Sequence, residues 1–273
     1  MSHRLRRVAA APSWPSYSGT SQFVGTSAAA RVSVYVDPSL GAPALQNATD
    51  LLADADRVAG ANSAIFATPG QPVNVIVFAL DGRTDGTGGA DHAACDFTSG
   101  GNLEVCASFG NSLRVSALFE AELSECSMGG NLCGVSTGEA LSRWCAAAVS
   151  NNALPDFASA PAWAQAGMPD FVTRTDPTDQ NEISTGCGMA LLSWLQKLGS
   201  PLSRIAPSMV LAGASGTLAQ LYARLTGDAQ ANALPKFLAA VKALPGVTSD
   251  DPFGALGRAR KPGRRGKGKR PRR

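Results

Sequence analysis

The chain has 273 residues, 44% hydrophobic and 16% charged, which is enough for one sizeable core. No apolar run approaches the roughly 20 residues that cross a bilayer; the longest, Gly186 to Leu195, is too short, so the sequence predicts no membrane span. The formal charge of +3 hides a segregation: ten of the 24 Lys and Arg lie between Arg258 and Arg273, three more are Arg4, Arg6 and Arg7, and Val8 to Gly257 keeps eleven bases against all 21 acids.

Residues 1–30 are rich in Ser, Ala and Pro and lack periodicity, so they read as a flexible leader. Arg4, Arg6 and Arg7 resemble the basic start of a signal peptide, but Val8 to Pro15 offers no apolar run of the usual ~7–15 residues. Arg31 to Val36 alternates β-branched residues and predicts a strand. Pro43 to Val58 has helical spacing, and Val73 to Leu80 reads as a buried strand. A Gly/Asp/Thr-rich loop spans 81–90, and Leu103 to Ala107 predicts a third strand, reached by a hairpin from Cys95. Helices are predicted near 113–128, 138–149, 184–198, 216–226 and 232–244, the third apolar nearly all round and therefore buried. Strands first and helices after predict an α+β fold: a small N-terminal sheet and a helical remainder forming one domain over 31–250. Residues 251–273 are expected to be a disordered basic tail, able to bind polyanions through salt-sensitive electrostatics.

The six cysteines at 95, 106, 126, 133, 145 and 187 contain no Cys-x-x-Cys pair, which argues against a zinc ribbon or a thioredoxin-type site. The even count permits three disulfides, or alternatively six buried thiols. Spacing favours Cys95 with Cys106 and Cys126 with Cys133, leaving Cys145 with Cys187. Disulfides favour an extracytoplasmic setting.

Two histidines, His3 and His92, cannot build a two- or three-histidine zinc site once His3 falls in the leader. Gly134-Val-Ser136-Thr-Gly138 matches the G-x-S-x-G pattern, but no histidine follows Ser136 and no strand precedes it. Ser136 or Thr137 therefore reads as a helix N-cap with Glu139 in the first turn. No P-loop or G-x-G-x-x-G is present. Val115 to Met128 carries more information. At 3.6 residues per turn, Val115, Leu118, Phe119 and Leu123 mark an inward stripe. Glu122 projects from within that stripe, Glu125 sits at its edge, and Glu120 is expected to face solvent. A carboxylate facing a core is costly unless paired or cation-bound; Arg143 and Arg174 are the candidate partners, the other reading being a more exposed helix.

From Arg31 to Leu244, the order of elements resembles zincin-like metallopeptidases, especially those similar to plant basic secretory proteins. These have a small sheet, an active-site helix with His-Glu-x-x-His, a second helix with a further ligand, and a helical remainder. Ala121-Glu122-Leu-Ser-Glu125 stands where the first motif would be, and Gly138-Glu139-Ala-Leu-Ser142-Arg143 resembles the second helix. The chain is also similar to a bacterial group sharing Gly-Ala-Asp-His (89–92), Ala-Glu-Leu-Ser-Glu (121–125), Gly-Glu-Ala-Leu-Ser-Arg (138–143) and Pro-Thr-Asp-Gln (177–180). The resemblance implies that Glu122 matches the general base, while Ala121 and Glu125 replace both zinc-binding histidines. It thus implies a domain that binds, or serves a structural role, without zinc proteolysis. Two alternatives stand beside it. One is a hydrolase with an oxygen-rich metal site of Glu122, Glu125 and Glu139, helped by His92 and Asp96, suited to Mg²⁺, Ca²⁺ or Mn²⁺ rather than zinc. The other is a polyanion-binding protein acting through its basic tail.

Overall fold

The computed structural model describes residues 12–98 and 101–256. β-Branched residues at alternate positions make Val32–Val36 (β2) and Val73–Phe78 (β3) strands. They pair in parallel, Val34 opposite Val75 and Val36 opposite Val77. A parallel pair needs a crossover, and the long helix α1 (Gly41–Phe66) supplies it. β5 (Asn102–Cys106) continues the parallel set beside β3. Both edges are antiparallel: β1 (Gln22–Thr26) along β2, and β4 (Ala90–His92) along β5. The strand order is β1-β2-β3-β5-β4. Helices follow: α2 (Ser112–Ser127), α3 (Ser136–Val149), α4 (Ala160–Gln165), α5 (Glu182–Lys197), α6 (Leu202–Ala212), α7 (Leu218–Thr226) and α8 (Ala233–Lys242). The fold is α+β, with the sheet in the N-terminal half and helices after it.

Two apolar clusters hold these layers. In the first, Val34, Val75 and Val105 of the sheet join Ala48, Leu51 and Ala55 of α1 and Val115, Phe119 and Leu123 of α2. The second surrounds α5, whose residues from Ser184 to Leu195 are all buried, as its all-round apolar sequence predicted. There Trp163 stacks on Phe237 at 5.4 Å and Trp194 on Tyr222 at 5.3 Å. α3 meets α5 closely because Gly188 has no side chain; a Cβ there would sit 2.6 Å from the Cβ of Ala140.

Several expectations need correction. Residues 12–30 are not merely a leader: they supply β1 and a segment that covers one sheet face. Trp14 packs edge-on against Tyr35 at 5.3 Å, and Tyr17 lies 5.1 Å from Phe78. The anchor is Glu104 of β5, fully buried, which accepts hydrogen bonds from Ser16 N (3.0 Å), Ser16 Oγ (2.6 Å) and Tyr17 N (2.7 Å). At the other end the domain runs past residue 250. Asp251 accepts from Ser193 Oγ (2.6 Å), Ala255 N (2.8 Å) and Leu256 N (2.9 Å), and Phe253 and Leu256 pack on the helical core. The rest of the predicted tail, like His3 and the three N-terminal arginines, lies outside the described residues. The hairpin partner of β5 is β4, which ends before Cys95. β1, β4, α4 and α6 were not predicted; α6 is masked in the sequence by Pro207 in its interior.

The expected disulfide pairing is also overturned. Cys95 joins Cys133, with a Cα–Cα distance of 5.7 Å across 38 residues, and Cys106, Cys126, Cys145 and Cys187 are buried thiols. The α2–α3 connection folds back over the loop after β4, where Gly130 N donates to Cys95 O (2.7 Å). Proximity in space, not along the chain, selects the pair. Burial pushes the Cys126 and Cys187 thiols up to about 12, so both stay protonated.

Candidate functional site

The polar residues singled out on α2 and α3 meet the edge strand β4 in one cleft of about 360 Å³. β4 pairs Asp91 with Glu104 and His92 with Leu103, which fixes the height of His92 along the sheet edge. α2 begins where the Asn111 side chain accepts from Arg114 N. It then runs between α1 and α3, contacting both. That position explains why the helix buries almost every side chain, including the polar ones.

Glu122 is 8% exposed and opens into the cleft. Its ion contact is with neither candidate arginine: His92 Nδ1 stands 3.6 Å from Glu122 Oε2, longer than a hydrogen bond. On the other side of the imidazole, His92 Nε2 lies 3.1 Å from Glu125 Oε2, close but poorly aligned for a hydrogen bond. Glu139, in the first turn of α3, is held by Arg143 Nε at 2.5 Å, and Arg143 also donates to Phe157 O (3.1 Å). Arg174 lies elsewhere, over the ring of Phe171 at 4.6 Å. The structure brings His92, Glu122, Glu125 and Glu139 to one cleft, with His92 beside Glu122 and Arg143 on Glu139.

Electrostatics follow from this crowding. Burial, then the charges of Glu125, Glu139 and Asp91, lift Glu122 well above the usual carboxylate range. Burial also raises Glu139, and Arg143 offsets only part of it. Burial disfavours a charged His92, but its contact with Glu125 and the charges of Glu125 and Asp91 outweigh that and hold the imidazole above its ordinary value. The cleft also gathers Asp91, Asp179, Glu182 and Asp250, the last accepting from Ser159 N and Ala160 N, against the cationic groups His92 and Arg143. These four acids were not identified as site residues, although Asp91 and Asp179 lie inside the Gly-Ala-Asp-His and Pro-Thr-Asp-Gln stretches.

Other candidates take structural roles. Asp96 accepts from Thr98 N (2.6 Å) and does not line the cleft. Ser136 is buried in the first turn of α3; the N-cap is Val135, with no side-chain capping bond, so neither Ser136 nor Thr137 caps the helix. Glu120 is fully buried rather than solvated. Its Oε1 accepts from Asn62 Nδ2 (3.1 Å) of α1 and Ser124 Oγ (3.2 Å), and burial raises it to about 8. The α2 stripe reads as one-sided in sequence because small residues such as Ala117, Ala121 and Ser124 hide how closely α1 and α3 approach.

For metal ligation, the carboxylate trio of Glu122, Glu125 and Glu139 is not the compact set. Among the described residues, the group of three donors lying within 4.8 Å of one another is His92, Cys95 and Glu125. Comparison with known proteins finds no family model that matches the chain and no curated protein that matches its sequence.

Proposed function

We propose that this chain is a zincin-like domain that has given up zinc proteolysis and uses its acidic cleft to bind the cationic side chain of a peptide or small ligand. The carrying observation is the convergence of Glu122, Glu125 and Glu139 with Asp91, Asp179, Glu182 and Asp250 around a 360 Å³ space, countered among the described lining residues by His92 and Arg143. Seven carboxyl groups in one cleft cannot all ionise cheaply; burial first, and then neighbouring carboxylate charge, raises Glu122 and Glu139. A guanidinium or ammonium group entering the cleft relieves it, and Arg-type ligands add the fork geometry that suits carboxylates. The volume exceeds that of a bare ion and fits a side chain with part of its backbone.

The order of elements supports the zincin-like part of the reading: α2 follows the sheet with Ala121-Glu122-Leu-Ser-Glu125, and α3 brings Glu139 to the same cleft. With Ala121 and Glu125 at the histidine positions, the imidazole pair that would hold zinc with an open fourth position is missing from the sequence.

Calorimetric titration with N-acetylarginine amide and with its neutral citrulline counterpart tests the proposal. Arginine is expected to bind and citrulline not. Because Glu122 must lose its proton to meet the cation, binding is expected to tighten with rising pH and to release protons. Glu122→Gln is expected to weaken binding about tenfold, the size of one charge-assisted hydrogen bond. Equal affinity for both probes, or none for arginine at any pH, overturns the reading.

A further inference from the structure

Cys95 leaves β4 three residues after His92, on the same turn of chain. Its Sγ, a ring nitrogen of His92 and a carboxylate oxygen of Glu125 lie within 4.8 Å of one another. A tetrahedral divalent ion with bonds of about 2.0–2.3 Å needs donors roughly 3.5 Å apart, so small side-chain rotations close the set. The chelating pair is local, His92 and Cys95 being three residues apart, while Glu125 is presented by a helix packed on the edge strand. The disulfide to Cys133 ties up the sulfur, and a disulfide sulfur is not the thiolate that ligates metal. The two halves of the bridge also differ: Cys95 is 6% exposed and faces the cleft residues, while Cys133 is exposed on the α2–α3 connection.

We propose that the Cys95–Cys133 bridge is a redox mask over a metal site built from His92, Cys95 and Glu125. Exposure directs a dithiol reductant to Sγ of Cys133. The S–S bond breaks, a mixed disulfide forms at Cys133, and Cys95 leaves as a thiolate. The second thiol of the reductant then displaces Cys133 and closes its own disulfide. Two electrons and two protons have passed from the reductant to the protein. A divalent ion takes the Cys95 thiolate, displacing its proton to water, together with neutral His92 and the Glu125 carboxylate. A sulfur, nitrogen and oxygen set favours Zn²⁺ or Co²⁺ over Mg²⁺ or Ca²⁺. Water is left for the remaining position. In the oxidised protein the same His92 and Glu125 serve the acidic cleft, so reduction switches the site from a cationic side chain to a metal ion. The proposal rests on that site's geometry but not on its occupant.

Co²⁺ titration of the full chain reads this directly, because a thiolate–cobalt bond gives a charge-transfer band in the near ultraviolet. The oxidised protein is expected to show no band. Protein reduced with a phosphine is expected to show one, with affinity at least 100-fold higher, and Zn²⁺ is expected to erase it. Cys133→Ser frees Cys95 without any reductant and is expected to show the band constitutively; reduced Cys95→Ser is expected to lack it. A band that survives Cys95→Ser, or its absence from both reduced wild type and folded Cys133→Ser, overturns the proposal. Arginine-probe binding by the oxidised protein distinguishes the two readings: if it persists while the band is absent, the metal site alone fails, and if it is absent while the band appears, the cationic cleft alone fails.

Discussion

His92 Nε2 lies 3.1 Å from Glu125 Oε2, joining the last residue of an edge strand to a helix that follows twenty residues of sheet and loop later. The pair sets the charge state of the cleft. His92 stands between Glu125 and Glu122, and its loss removes the ring nitrogens that lie 3.1 Å and 3.6 Å from their carboxyl oxygens.

His92→Ala is therefore expected to destabilise the protein in a pH-dependent way. His92 has a raised folded-state value, so its contribution is fully present below the ordinary value near 6.5 and is lost as pH rises through the folded value. Urea unfolding should show a loss of ~1 kcal/mol near pH 6, allowing for partial solvent screening, shrinking toward zero near pH 9. A loss that is constant with pH would show that the imidazole acts by packing alone.

Glu120 gives a second pH signature, away from the cleft. Its folded-state value of about 8 means that it folds as a neutral acid, and the stabilisation relative to the unfolded chain is lost as pH climbs from the ordinary carboxylate range through 8. Glu120→Gln keeps the acceptor for Asn62 and cannot ionise. The variant is expected to match wild type near pH 5 and to exceed it by on the order of 2–4 kcal/mol near pH 9. Parallel pH profiles for the two proteins would contradict the assignment.

Thiol counting checks the cysteine assignment. Unreduced, denatured protein should titrate four thiols and reduced protein six, because Cys95 and Cys133 are bridged and the other four are in no disulfide. In the native state those four should react slowly, since all are buried. Closing 38 residues predicts that removing the bridge destabilises by about 4 kcal/mol.

Glu104→Ala should release residues 12–21 from the sheet. The carboxylate takes three hydrogen bonds from Ser16 and Tyr17, and β5 holds no second acid to accept them. Orphaning those donors is expected to cost about 2–3 kcal/mol, and limited proteolysis should cut before Gln22 in the variant but not in wild type.

Truncation separates tail from domain at the C-terminus. Residues 258–273 hold one Ala and no larger apolar side chain, so removing them is expected to leave the melting temperature unchanged. Removing 251–256 as well deletes Asp251, Phe253 and Leu256 from the helical core and is expected to lower it by several degrees.

The periodicity of the sequence was sufficient for the central elements. β2 and β3 carry β-branched residues at alternate positions, β5 alternates Leu103 and Val105, and α2, α3, α5, α7 and α8 repeat their apolar residues at helical spacing, which local sterics and burial convert directly into structure. It was also sufficient to place Glu122 on an apolar face, since a charge at a core position is visible in the pattern. Elements with weak local signals were not legible: β1 and β4 are short edge strands, and α6 contains a proline. Their conformation is decided by partners distant in the chain.

Tertiary structure alone decided three matters at the site. It buried Glu120, because α1 and α3 close on both sides of α2 and one helix's periodicity cannot report a second neighbour. It paired Cys95 with Cys133 rather than Cys106, because the α2–α3 connection returns over the loop after β4 while Cys106 sits inside the strand. And it set His92 between Glu122 and Glu125, because strand register fixes the height of one residue and helix packing that of the other two. Composition and spacing specify which groups a chain can offer; only the closing of the layers determines which of them lose water together, and the electrostatics of the cleft follow from that loss.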